Sequence, residues 1–282
     1  KAAYWSADAS YQLAQYDTAL KGFKSYLGMP GATDTELKSE VHYNLGYTNL
    51  NKGDTASAIE NFRLFVQDKP QNKRKLADAY MRLGDSYFMR RDNQAAIQNY
   101  DLALALNVAN QDQAWYYKAL TLGVTNNKDE KIKSLLNIVN NYSNSKYVQD
   151  ALFEIAFTYK LVPDYANSIK YYEQLLRDYP STSKEANIRI ELADVYFKQS
   201  NYKRAEEEYL TVLEKFGHDD VCNAVGEGLQ NVYAVTKQVS KLEEMSKTYP
   251  CLNINSLTLE NLVYNPAESD YQAKNYTDAI PK

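Results

Sequence analysis

The chain repeats itself, and that constrains its fold more than any other feature. One short cluster recurs as YDTALKGF (16–23), TASAIENF (55–62), NQAAIQNY (93–100), YANSIKYY (165–172), YKRAEEEY (202–209) and YTDAI (276–280), with KDEKIKSL (128–135) and VSKLEEM (239–245) as degraded copies. Aligning Ala19, Ala58, Ala96, Lys131, Ser168, Ala205, Gln238 and Ala279 gives spacings of 39, 38, 35, 37, 37, 33 and 41 residues. A period in this range marks a stack of supersecondary units, none of which can bury its apolar face alone.

Each unit carries a second signal upstream. VHYNLGYTNLNKGD (41–54), AYMRLGDSYFMRRD (79–92), ALFEIAFTYKLVPD (151–164) and IRIELADVYFKQSN (188–201) place apolar residues at i, i+3, i+4 and i+7, the spacing of an amphipathic helix. Gly46, Gly84, Ala156 and Ala193 occupy one shared place, directly after Leu45, Leu83, Ile155 and Leu192. A glycine inside a helix costs up to about 1 kcal/mol against alanine, so close approach of a neighbouring helix is expected there. The small residue opening each second half points the same way. Each unit therefore reads as a helix, a polar turn and an antiparallel second helix. Segments end on NYSNS, DYPSTS and TYPCLN, where an aromatic and a turn stop the second helix. Pro180 biases Tyr179 toward extended backbone, and Ser181, Thr182 and Ser183 are expected to cap the following helix, with Glu185 close behind.

The pattern of Leu-Gly, Tyr, Ala, Phe/Tyr and Pro resembles the tetratricopeptide repeat, most closely in LGDSYFMRRDNQAAIQNYDLAL through Leu83, Gly84, Tyr87, Ala96, Tyr100 and Ala103. The resemblance covers nearly the whole chain and is weak near 113–143 and 221–250. It implies an all-α fold: a right-handed superhelical α-solenoid of about seven helix-turn-helix repeats plus a truncated eighth, within one array over 1–282. The repeats are read as 1–36, 37–74, 75–110, 111–147, 148–184, 185–219, 220–254 and 255–282. The aromatic endings are similar to the periplasmic branch of the family, the outer-membrane assembly lipoprotein and Tol-Pal coordinator type. That likeness implies a periplasmic or outer-membrane-associated protein of a Gram-negative bacterium, with a cytoplasmic location the alternative. The chain opens on Lys1 and ends in what reads as the first turn of a helix, so a piece of a longer polypeptide is expected.

Composition excludes several classes. Net charge is −4 and there is no basic stripe, which argues against nucleic acid and anionic lipid as partners. No apolar stretch is long enough to span a bilayer. The 282 residues include only 10 Gly and 7 Pro, which suits helices rather than loops, and 26 Tyr, whose rings pack while their hydroxyls stay wet.

Catalytic chemistry is not legible. His42 and His218 lack ligand partners at metal-binding spacing, and both read as structural or surface residues. GEGLQN (226–231) reads as close helix packing, since no strand precedes it. Glu206, Glu207, Glu208 and Glu243, Glu244 read as solvated helix faces. No cofactor and no enzymatic activity is expected. Cys222 opens the first helix of the seventh unit and Cys251 follows its second, so the antiparallel hairpin brings the two ends near one another. Either a disulfide joins them or both are small buried apolar residues.

In the resembled family, first helices line a concave groove that holds an extended peptide or a partner's helix. On this chain the pattern places Tyr43, Tyr47, Met81, Asp85, Phe88, Tyr116, Leu120, Phe153, Phe157, Ile190, Asp194 and Phe197 there, an aromatic stripe with acidic punctuation. The bland alternative is that these rings pack on adjacent second helices. A carboxylate clamp of the chaperone-binding kind is not expected. Its five places hold Tyr4, Asp8, Asn44, Asp78 and Arg82, and the two acids would repel the ligand. A protein-binding scaffold is the first reading. An assembly component of the bacterial cell envelope acting through its convex face or ends is the second, and an accessory array of a larger enzyme the third.

Overall fold

The computed structural model describes residues 1–32, 37–109, 111–217, 220–252, 254 and 256–279. It divides into two compact units, Lys1–Ala151 and Leu152–Lys282. The first holds α1 (Ala2–Gln12), α2 (Tyr16–Leu27), α3 (Leu37–Asn51), α4 (Thr55–Gln67), α5 (Lys73–Met89), α6 (Asn93–Ala105), α7 (Asp112–Val124) and α8 (Lys128–Asn141). The division falls inside α9 (Val148–Leu161). The second unit continues with α10 (Tyr165–Asp178), α11 (Glu185–Lys198), α12 (Tyr202–Phe216), α13 (Asp220–Val235), α14 (Val239–Thr248), α15 (Ser256–Gln272) and α16 (Tyr276–Ala279). No strand occurs among the described residues.

Consecutive helices form hairpins. One backbone device closes each of them. Ala14, Gly53, Arg91, Asn126, Pro163, Ser200, Lys237 and Lys274 all have positive φ, and each falls in the turn that leads into a second helix. The next residue's N–H reaches back five residues: Asp54 to Asn49, Asp92 to Tyr87, Asn127 to Leu122, Asp164 to Tyr159 and Asn201 to Tyr196. The left-handed residue itself donates three residues back, as Arg91 does to Phe88 at 2.9 Å. These are the paired bonds of a Schellman cap, which satisfy the last carbonyls of the first helix. Pro163 departs from the scheme because it has no N–H to give. The residue after the turn then caps the second helix. Asp54, Asp92, Asn127, Asp164 and Asn201 each accept from the backbone N–H three residues on, worth about 1 kcal/mol apiece.

Three of the second helices end differently. α8, α10 and α14 stop at Tyr142, Tyr179 and Tyr249, with φ of −132°, −133° and −124°. Pro180 and Pro250 account for two of these, since a following proline disfavours helical backbone. The expected serine and threonine cap on α11 is not formed. The N-cap is Lys184 and no side chain caps it. Thr182 Oγ1 instead accepts from the Lys184 N–H at 3.3 Å, so the hydroxyl stabilises the turn rather than the helix.

The small residues work as anticipated. Ala19, Ala58, Ala96, Ser168 and Ala205 are fully buried. In the first unit a Cβ on Gly46 would lie 2.7 Å from the Phe62 ring. In the second, a Cβ on Gly228 would overlap the Tyr209 ring, so GEGLQN is a packing surface. Ser168 Oγ donates to the Ala156 carbonyl at 2.8 Å, tying α10 to α9 through the two small positions. The first unit's core includes Ala7, Ala19, Phe23, Val41 and Leu45, continued by Ala58, Phe62, Phe65, Ala79 and Leu83. In the second unit Leu152, Ile155, Leu175, Ile188, Leu192 and Val212 are buried.

Polar side chains join successive hairpins one repeat apart. In the first unit Lys52 pairs with Asp17 and Lys75 with Glu40, each across 35 residues. In the second unit Lys241 reaches Glu206 across the same interval, at 3.2 Å.

Candidate functional site: the first-helix faces

All twelve predicted groove residues lie on first helices and are half-buried. In the first unit these are Tyr43 and Tyr47 on α3, Met81, Asp85 and Phe88 on α5, and Tyr116 and Leu120 on α7. In the second they are Phe153 and Phe157 on α9 and Ile190, Asp194 and Phe197 on α11.

Most of these rings rest on second helices, Tyr116 on the loop before α9, and all remain partly open. Tyr43 packs against Phe62 and Phe65 with centroids 6.1 and 4.9 Å away, and Tyr47 meets Phe62 edge-on at 5.3 Å. Tyr116 stacks on Tyr147 at 4.8 Å. In the second unit Phe153 meets Tyr172 edge-on at 5.7 Å, and Phe197 packs on Tyr202 at 5.4 Å.

A polar network fixes the first unit's face. Tyr43 and Tyr47 both donate to Asp78 on the next first helix, the former at 2.7 Å. Arg82 reaches the Tyr47 hydroxyl at 3.2 Å, Asp78 at 3.4 Å and Asp85 at 2.7 Å. Tyr100 on α6 donates to the other oxygen of Asp85 at 2.9 Å. Burial pushes the Asp85 carboxyl above its ordinary range, against the opposing pull of Arg82 and Tyr100. Burial, followed by the adjacent Asp78, drives the Tyr43 and Tyr47 hydroxyls far up as well, so both stay neutral donors.

The second unit repeats the acid–tyrosine pair with a different cation. Tyr209 donates to Asp194 at 2.5 Å, as Tyr100 does to Asp85. Lys160 on α9 bridges Glu191 and Asp194 at 2.7 and 2.8 Å. Burial works against the ammonium, but the two carboxylates outweigh it and hold Lys160 above the usual lysine range. In the α9–α10 hairpin, Phe157 stands in the place of the acid. Tyr172 keeps the equivalent ring position, and its buried hydroxyl has no hydrogen-bond partner among the described residues.

Other expected residues resolve as follows. His42 is buried against Asn61, with Nδ1 and Oδ1 3.2 Å apart, a structural contact. His218 lies outside the described residues. Two acids read as solvated are not. Glu208 is buried and accepts from Arg189 at 2.6 Å, and Glu206 accepts from Tyr233 at 2.8 Å. Sequence spacing missed these because both partners come from other helices. Cys222 and Cys251 are bonded, with Cα atoms 5.8 Å apart. The clamp places close on one another, since Asn44 donates to Tyr4 at 3.1 Å and Asp8 at 3.3 Å. Sequence reading also missed a cleft of about 240 Å³ beside Met81, lined by residues of α5, α6, α7 and the α6–α7 loop.

The family model described as YfiO, outer membrane lipoprotein, matches residues 1–162, more than half of the chain. The chain belongs to the YfiO family. A tetratricopeptide repeat model matches residues 164–220. Comparison with curated proteins returns no significant match. Among solved structures, the C-terminal part of a TPR repeat-containing protein from Cytophaga hutchinsonii is 12% identical, with a TM-score of 0.61 over 99% of this chain and 100% of that one. A tetratricopeptide repeat protein from Parabacteroides merdae is 15% identical, with a TM-score of 0.56 over 93% and 98%. PilF of Pseudomonas aeruginosa is 18% identical, with a TM-score of 0.51 over 84% and 97%. These similarities show the fold, an α-solenoid of tetratricopeptide hairpins. No helix among the described residues of this YfiO-family chain is long and apolar enough to cross a membrane.

Proposed function

We propose that the chain is a non-catalytic scaffold that holds an extended segment or a helix of a protein partner along its first helices. The observation that carries this reading is the network beneath Tyr43 and Tyr47. Half-exposed rings are locked by Asp78, which Arg82 joins, so little rotamer freedom is left to lose when a partner docks. Rigid aromatic groups of this kind are what interface hot spots are made of. Among the described residues no group of three or more His, Cys, Asp or Glu is placed to hold a metal ion.

The test is site-specific photo-crosslinking in cells, with the reactive group at Phe88 on a first helix and at exposed Leu102 on a second. A partner captured at Phe88, absent at Leu102 and lost from Phe88 when Tyr43→Ala and Tyr47→Ala are added supports the reading. Equal capture at both positions moves the binding surface elsewhere.

A second reading, an assembly component of the cell envelope, is favoured by the YfiO family match over 1–162. The Cys222–Cys251 bridge is consistent with an oxidising compartment such as the periplasm. Fractionation of cells expressing the full-length protein checks it, and a cytoplasmic pool with reduced cysteines counts against it.

A further inference from the structure

The first-helix face of the second unit is short of positive charge. Lys160 serves two carboxylates at once, Glu191 and Asp194, at 2.7 and 2.8 Å. The other group bound to Asp194 is the Tyr209 hydroxyl, which is neutral and cancels no charge. The three ionised side chains also lie at different depths. Lys160 is 10% exposed, against 24% for Glu191 and 39% for Asp194. An incoming chain therefore meets carboxylate before it meets ammonium.

Neighbouring charges do not reverse this. Arg189 and Lys215 are taken up by Glu185 and Glu208, two cations on two acids. Glu227 lies six residues before Tyr233 on α13, as Ile190 lies six before Tyr196 on α11, and it is exposed. Lys198, at the end of α11, is exposed and forms no ion pair among the described residues. Even with Lys198 counted, Glu191, Asp194 and Glu227 outnumber the cations.

Two polar atoms between α9 and α11 have no hydrogen-bond partner among the described residues. One is Oε1 of Glu191, because Lys160 takes Oε2. The other is the Tyr172 hydroxyl, buried beneath the face. Its counterparts on Tyr100 and Tyr209 are both bonded to an acid. Burial, then the charges of Glu191, Glu154 and Asp194, drive this hydroxyl far up, so it stays neutral. Both atoms can accept an N–H. Apolar surface adjoins them. Phe153 and Phe157 stack with planes 6° apart and centroids 6.4 Å apart, and Ile190 and Phe197 are half-buried on α11.

We propose that this face receives an arginine of an extended, basic segment of a protein partner, its guanidinium on Glu191 and Asp194 and its apolar neighbours on the Phe and Ile side chains. A guanidinium carries five donors and a fixed charge, enough for more than one acceptor. Its stem covers apolar carbon and its plane lies well on a ring face. In an extended segment alternate side chains share a side, so apolar residues two positions either way from the arginine meet the same face. The proposal rests on the scaffold reading and names the partner chemistry it selects in the second unit.

Fluorescence polarisation with the intact chain tests it, using labelled peptides in which Gly and Ser flank Leu-Ser-X-Ser-Leu, with X arginine, citrulline or glutamate. Citrulline keeps donors and loses the charge. The arginine peptide binds best, the citrulline peptide roughly ten-fold more weakly at low salt, and the glutamate peptide weakest. The gap narrows as salt rises. Glu191→Gln closes most of the gap between arginine and citrulline, while Glu243→Gln, on the exposed face of α14, leaves it unchanged. Glu191→Lys reverses the order of the arginine and glutamate peptides, an outcome that simple misfolding does not produce. The proposal is overturned if no peptide binds, if citrulline matches arginine, or if neither Glu191 variant alters the order or the gap. Capture of a partner at Phe88 alongside any of those results separates failure of this site from failure of the scaffold reading.

Discussion

A Cβ added to Gly84 would lie 2.5 Å from Cε1 of Tyr100. The same ring is anchored at its far end by the bond from its hydroxyl to Asp85. The glycine leaves room for the ring, and the acid next to it in sequence holds the ring there.

Helix propensity alone predicts that Gly84→Ala stabilises the chain by up to about 1 kcal/mol. We expect the opposite sign, a loss of about 1–3 kcal/mol, because the ring cannot retreat without breaking its bond to Asp85. Urea denaturation of Gly84→Ala, Tyr100→Leu and the double variant checks this. The alanine should cost less when Tyr100→Leu is already present, and an additive cycle contradicts the account.

Two tyrosines in equivalent second-helix positions serve as mutual controls. Tyr209→Phe removes the donor from Asp194 and should cost about 1–2 kcal/mol. Tyr172→Phe removes a buried hydroxyl with no partner among the described residues and should be neutral or stabilising. Equal losses at both sites in thermal or chemical denaturation would count against the orphan assignment.

Arg91 and Ser200 hold positive φ of 62° and 60° in their turns. Left-handed backbone costs an ordinary side chain roughly 1–2 kcal/mol that glycine does not pay. Replacing either by glycine should raise stability by about 1 kcal/mol after the added freedom of the unfolded chain is counted. Arg91→Val should lower it, and differential scanning of Arg91→Gly against Arg91→Val decides.

Glu185 accepts from Arg189 at 2.8 Å and Lys215 at 2.9 Å. Burial raises its pKa, but these two cations outweigh burial and hold the carboxyl below its unfolded value of 4.5. Its contribution is therefore complete above that pH and is lost as pH falls through the folded pKa. Glu185→Gln should flatten the acid limb of the stability curve and leave the alkaline limb unchanged.

The disulfide closes a separation of 29 residues. Chain-entropy reasoning gives it about 3.6 kcal/mol. Mass spectrometry with alkylation should find no free thiol in oxidised protein. The Cys222→Ser, Cys251→Ser double variant should unfold at lower urea, and an unchanged midpoint would remove the bridge from the account of stability.

Much of the hairpin architecture was legible because it depends on residue size at fixed intervals. Leu83-Gly84 and Ala96 fall in register with their counterparts, and the aromatic ring that needs the space lies in the same unit. The polar ties were not legible. Tyr43 finds Asp78 thirty-five residues away, and Glu208 is bound by Arg189 on another helix, so neither pairing has a local spacing. Thr182 misled for a related reason: a hydroxyl before a helix serves a turn or a cap equally well, and the backbone path decides. The cleft escaped notice because alanines at a helix junction read as packing until their neighbours are placed.

The turn inside each hairpin carries Ala, Gly, Arg, Asn, Pro, Ser or Lys at the same left-handed position. Its specification lies in main-chain bonds, which side chains of many kinds can share at a modest cost in backbone strain. Whole hairpins can then be copied, deleted or shuffled during evolution without redesigning a joint. Lineages carrying such a chain are free to change the length of the array, and with it the reach of whatever the array holds, while the decorated faces diverge at their own pace.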